Sequence, residues 1–304
     1  MVEPIIECVA NCSEGRNAET IQALADSVKK VKGVSLLDQH ADVDHHRCVL
    51  TFAGSSDAVA LAAFELVKTA AMVIDLTQHV GQHPRIGATD VLPFIPLGSA
   101  TMSQCVALAK RVGKRVGDEL GIPVFLYEEA CDQPHRKRLE DIRRGGLLGL
   151  ASRIKSDPAW APDFGPAHPH PTAGAIVIGA RHPLIAYNIL LNTSNLAIAQ
   201  AIAKTIRTSS GGLPAVKALG MKLESRGLVQ VSMNLTNFRQ TPIHVVFEAV
   251  KAEAEQRGVS IVSSELVGLI PQQAFTQAAA HDLKWNLLEA DHVIESRLRH
   301  CQRA

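Results

Sequence analysis

Apolar residues in the first half of the chain alternate between two spacings. Ile5–Val9 is an apolar run of strand length. After Glu14-Gly15, Ile21, Leu24, Ala25 and Val28 recur at the spacing of one helix face, and Asn17 stands where a side-chain oxygen caps a first turn. Val34–Leu37 and Cys48–Phe52 read as strands joined by a polar loop, Asp38–His46. A helical period returns over Asp57–Ile74. Val91–Pro96 is a short apolar strand, Ser103–Leu120 a helix ended by Gly121-Ile122-Pro123, and Val124–Tyr127 a strand. The order expected is β-α-β-β-α-β-α-β.

Residues 129–173 break this rhythm. A basic run, His135-Arg136-Lys137-Arg138, leads into a stretch rich in Pro, Gly and His, which reads as a linker or a long functional loop. A similar pattern then restarts. Ala175–Gly179 and Leu184–Leu191 are strands and Leu196–Arg207 a helix. Ala215–Leu223 and Val229–Asn234 form a hairpin, Pro242–Arg257 a helix and Ser260–Ser264 a strand. The fold class expected is α+β. It comprises two α/β sandwich subdomains, residues 1–173 and 174–304, each a mixed sheet with helices on one face, with a ligand cleft between them.

Composition narrows the partners. The 304 residues are 46% hydrophobic and 20% charged, with a formal net charge of +1. That composition is globular, and the balance supplies no field to draw nucleic acid or an anionic membrane. Met1-Val2-Glu3-Pro4 does not open a secretion signal, and no apolar run approaches the ~18 residues of a membrane span. The six cysteines are scattered, with no C-x-x-C pair, as expected of reduced thiols in a cytoplasmic protein.

Two polar clusters sit between the elements of the first half: Asp38–Arg47 with Asp42, and His79–Arg85 with Asp90. Pro84 forces His83 out of helical geometry, and Gly81 and Gly87 permit turns on either side. Such a loop can present an imidazole, whose pKa of ~6.5 suits proton transfer near neutrality, beside the Arg85 guanidinium. Asp90 or Asp42 can orient the ring. The residue types also allow another reading. Asp42, Asp44, His45, His46, His79 and His83 are all possible zinc or iron ligands, as in a metal-dependent hydrolase, although their spacing matches no recognised metal motif. Gly165 and Gly174 enclose Pro166-Ala167-His168-Pro169-His170-Pro171-Thr172-Ala173, a stiff segment that is either a linker or a ligand clamp; Trp160 and Phe164 just upstream offer flat surfaces to a heterocycle. Arg181 is a further candidate carboxylate binder.

Several longer stretches bear a family resemblance. These are Glu7-Cys8-Val9-Ala10-Asn11-Cys12-Ser13-Glu14-Gly15, Ile74-Asp75-Leu76, His79–Ala88, Asp90–Pro96, Trp160–Pro166, Val177–Arg181, Gln230–Leu235 and Glu265–Pro271. In this order they resemble the formiminotransferase family across nearly the whole chain. The resemblance implies transfer of a formimino group from N-formimino-L-glutamate to N5 of tetrahydrofolate, a step of histidine degradation. Folate would lie between two subdomains of a homodimer, and no metal would be needed. The family's catalytic histidine falls on His83 and its folate-binding stretch on Gly165–Gly174, preceded by Asp163 and Phe164. Arg47, Arg85 and Arg181 are then candidates for the substrates' carboxylates, and Asp42 or Asp90 for balancing the cationic amidine. A folate-binding relative without turnover is the remaining alternative. Ala10, Cys12, Gly145-Gly146-Leu147 and Thr172 depart from the family pattern, and the length leaves no room for the cyclodeaminase fused to the animal enzyme.

Overall fold

The computed structural model describes residues 4–43, 46–79, 85–223, 226–285 and 290–303. The chain divides into two compact units, Met1–Arg181 and His182–Ala304.

In the first unit β1 (Ile5–Cys12), β2 (Val34–Asp42), β3 (Arg47–Ser55), β4 (Thr89–Leu97), β5 (Val124–Glu128) and β6 (Ile176–Ala180) form one sheet in the order β2-β3-β1-β4-β6-β5. The first four pair antiparallel, whereas β6 runs parallel to both β4 and β5. β2 extends through the polar run to Asp42, because His40 and Asp42 pair with Val49 and Arg47; the expected loop is therefore shorter. Ile176–Ala180, read from the sequence as the start of the second half, fills the slot between β4 and β5 and is buried throughout.

Helices α1 (Ala18–Lys29), α2 (Ser56–Val73) and α3 (Met102–Leu120) cover one face and bury Leu24, Phe52, Leu66, Phe94 and Val112. Asn17 caps α1, its side chain accepting from the Glu19 and Thr20 amides, and Thr101 with Gln104 forms a capping box on α3. The connection from β5 to β6 joins parallel neighbours, so it must cross over the sheet, and helices suit that path. The segment with a linker's composition accordingly contains α4 (Leu139–Arg143) and α5 (Gly146–Ser156). Their Ile142 and Leu150 pack on the second face against Val91, Phe125, Tyr127 and Val177. A strand covered on both sides reads as an unbroken apolar run, which is why β4 shows no alternation.

The second unit holds β7 (Ile185–Leu191), β8 (Val216–Leu223), β9 (Leu228–Leu235) and β10 (Ile261–Val267) in the order β10-β7-β9-β8. This sheet is antiparallel throughout, where a mixed sheet was expected in both halves. Tyr187, Ile189, Val231 and Met233 pack with Ile202 of α6 (Leu196–Ile206) and Phe247 of α7 (Ile243–Gln256). Helices α8 (Gln272–Ala279) and α9 (Ile294–Arg303) follow. Among the described residues no helix is long and apolar enough to cross a membrane.

Candidate active site

The edge of the first sheet where β4 begins gathers the two motif regions of the sequence. Ser13 anchors the entry to β4, its amide on the Ala88 carbonyl and its hydroxyl on that of Gly87, both at 2.8 Å. The segment before β6 is stitched to the same place. Leu76 N donates to Thr172 O and Ala88 N to Ala173 O, each at 2.9 Å, and Ala175 N donates to Ile86 O at 2.8 Å. Gly174 adopts φ +70° here, and a Cβ on it would stand 2.3 Å from the Ile86 carbonyl oxygen, so no side chain fits. The chain flanking residues 80–84 and the end of the Gly165–Gly174 stretch thus form one layer. His83 itself lies outside the described residues, as do Asp44 and His45 of the metal reading.

Histidines flank this layer. The rings of His46 and His79 stack with centroids 4.0 Å apart. His79 Nε2 is 3.2 Å from the His46 carbonyl oxygen, and the Arg85 guanidinium lies against the same ring. Burial lowers the His79 pKa to about 4, with Arg85 and His46 acting in the same direction. His46 Nδ1 accepts from Gly15 N at 3.1 Å and sits 3.3 Å from Glu14 Oε1. Burial lowers its pKa as well, with Arg16 and Arg85 adding to the shift and Glu14 opposing it. Both rings are therefore neutral near pH 7, and the Glu14 contact is not an ion pair there.

Asp90 owes its direction to a β-bulge. Asn11 pairs with Val91 and Cys12 with Thr89, which leaves Asp90 as the extra residue on β4. Its Oδ1 accepts from Ile86 N at 2.7 Å, and its Oδ2 pairs with Arg143 at the end of α4. Arg47 and Asp42, directly opposed on β3 and β2, stand on the same side of the sheet. Burial lowers the Arg47 pKa, Arg143 adds to the shift, and Asp42 and Asp90 counter it. Arg47, Asp42, Asp90, Arg85 and Arg143 consequently share one electrostatic neighbourhood. Arg143 was not among the residues singled out by sequence, because the short α4 carries no visible periodicity.

The Gly165–Gly174 stretch is fixed at both ends. Asp163 accepts from Leu126 N at 2.7 Å and from Arg136 at 3.0 Å, so both its oxygens are held by protein groups. Phe164 lies on α3 beside Gly113. Gly165 approaches α3 so closely that a Cβ on Gly117 would be 2.6 Å from Gly165 N. Between the anchors Ala167, His168 and Pro171 are exposed, Pro166, Pro169 and Thr172 are partly so, and Ala173 is buried. His170 Nδ1 accepts from Ala173 N at 3.0 Å. Arg181 is set apart. Its amide bonds to Phe94 O, four residues beyond Asp90 on β4 or roughly 13 Å along the strand, and its side chain reaches Tyr127, whose pKa burial raises to about 12.

Residues 5–181 match the formiminotransferase domain, N-terminal subdomain, and residues 186–297 match the formiminotransferase domain. The chain belongs to the formiminotransferase family. It is 46% identical to the glutamate formimidoyltransferase of Thermoplasma acidophilum, covering 97% of each chain. The corresponding Streptococcus pyogenes protein is 44% identical, with 92% of this chain and 93% of that one covered. The mouse formimidoyltransferase-cyclodeaminase is 41% identical, covering 95% of this chain and 55% of that one. Membership in the formiminotransferase family does not favour the metal-dependent hydrolase. Among the described residues no three metal-ligating side chains converge.

Proposed function

We propose that this chain is a glutamate formimidoyltransferase. It moves the formimino group of N-formimino-L-glutamate to N5 of tetrahydrofolate and releases glutamate and 5-formiminotetrahydrofolate, with no metal. Kinship with two formimidoyltransferases over more than nine-tenths of their length carries this reading. His83 acts on the acceptor's N5–H proton as that nitrogen attacks the amidine carbon. The same ring returns a proton to the glutamate nitrogen as the carbon–nitrogen bond breaks, so one imidazole serves as base and then as acid. His46 and His79 stay neutral and do not compete as acids, and Arg85 supplies a permanent positive charge beside them.

Asp163, Phe164 and the stretch Gly165–Gly174 contact the folate. Arg47 and Arg85 take substrate carboxylates, Asp42 and Asp90 balance the cationic amidine, and Arg181 acts farther out on the ligand. The enzyme is a cytoplasmic homodimer.

The test mixes purified protein with tetrahydrofolate and formiminoglutamate and follows both products. Wild type should form them in equal amounts, and His83→Ala should slow turnover by at least about 100-fold with an unchanged fold. Full activity in His83→Ala would overturn the assignment.

A further inference from the structure

The second sheet carries α6 and α7 on one face and a polar cavity on the other. Tyr187, Ile189 and Leu191 pack toward the helices, so Asn188 and Leu190 between them face away. A β-bulge between Ile261 and Ser263 adds β10 to that outer face. Without it Ser263 would oppose Ile189; with it Ser263 opposes Leu190 and Glu265 opposes Asn188. Gln230 of β9 pairs with Leu190 and completes the row. Asn188, Gln230, Ser263 and Glu265, with Arg226 from the turn between β8 and β9, line one cavity of about 180 Å³ that opens to solvent. Its enclosed part has room for one water-sized group.

These side chains are short of partners. Gln230 and Ser263 are 7% and 9% exposed, and among the described residues neither side chain makes a hydrogen bond. Asn188 donates to Glu265 Oε1 at 3.1 Å, which leaves Asn188 Oδ1 and Glu265 Oε2 as further acceptors. Buried polar groups are ordinarily paired, so these call for a donor with several N–H bonds. An ammonium is water-sized and has three, and Glu265 supplies its countercharge. Arg226 stands exposed at the same cavity, and among the described residues neither it nor Glu265 is in an ion pair. A ligand with a cation at one end and a carboxylate at the other meets both.

We propose that this cavity binds the zwitterionic head group of an α-amino acid. The ammonium sits against Glu265, Asn188, Gln230 and Ser263, and the carboxylate meets Arg226 at the mouth. The amino acid's own side chain points out of the opening, so the head group is what the cavity reads. The inference does not rest on the transferase reading.

NMR titrations of the full chain with glycine, methylamine and acetate test it. Glycine carries both charges, methylamine only the cation and acetate only the anion. Glycine should shift the side-chain NH2 signals of Asn188 and Gln230 saturably. Methylamine should bind roughly 3- to 10-fold more weakly, and acetate at least about 30-fold more weakly. Glu265→Gln should weaken glycine by at least about 10-fold. Arg226→Met, at the exposed rim, should remove the advantage of glycine over methylamine and leave methylamine unchanged. This second variant decides alone if Glu265→Gln does not fold. Glycine that moves neither amide signal, or that binds both variants as it binds wild type, would leave the cavity to water and overturn the proposal. Equal binding of all three ligands would overturn it too.

Discussion

His79 is held neutral by its surroundings, and this makes stability depend on pH in a definite direction. Its folded pKa of about 4 lies below the ~6.5 of an unfolded histidine, so between these values the unfolded chain binds the extra proton. Stability is complete above about pH 6.5 and is lost as pH falls toward 4. Melting temperatures recorded across this window should fall more steeply for wild type than for His79→Gln; parallel curves would remove His79 from the explanation. Asp163 makes a second residue-scale prediction. Asp163→Ala leaves the buried Arg136 guanidinium and the Leu126 amide without their acceptor, and urea unfolding should report a loss of about 3 kcal/mol or more. The residue types of this site were legible in the sequence, since histidine, arginine and aspartate in a Gly/Pro-rich context point to proton transfer and anion binding. The directions of the side chains were not. Asp90 faces Arg143 only because β4 carries one extra residue against β1, and a bulge depends on the partner strand, which the local sequence does not contain.

At the scale of elements, the contact of α3 with the Gly165–Gly174 stretch depends on two glycines. Gly117→Ala would place a methyl 2.6 Å from Gly165 N and force the stretch to move. The expected result is a loss of about 1–3 kcal/mol, with a raised KM for tetrahydrofolate and a nearly unchanged KM for the donor. A donor KM that rises in step would place the stretch elsewhere in the mechanism. Long periodic helices such as α3, capped by Thr101 and stopped at Gly121, were readable because propensity, caps and burial agree. Helices α4 and α5 were hidden by their brevity and by neighbouring Pro and Gly. The requirement for a crossover between parallel β5 and β6 predicts them only once the pairing is known.

For the whole molecule, the order of motifs carried more information than any single spacing, and it is the order that the family match repeats from residue 5 to residue 297. The division after Arg181 was less visible, because β6 lies beyond the loop that resembles a linker yet belongs to the first sheet. The proposed homodimer predicts a solution mass near twice 32.6 kDa by light scattering, and a value near 32.6 kDa would contradict it. The central claim concerns where one carbon atom goes. With formiminoglutamate carrying 13C in the formimino group, NMR of the reaction with tetrahydrofolate should show the label leaving the donor and appearing on N5 of the folate, with one glutamate released per label transferred. Label released to water as formamide or formate, or label that never leaves the donor, would contradict the account.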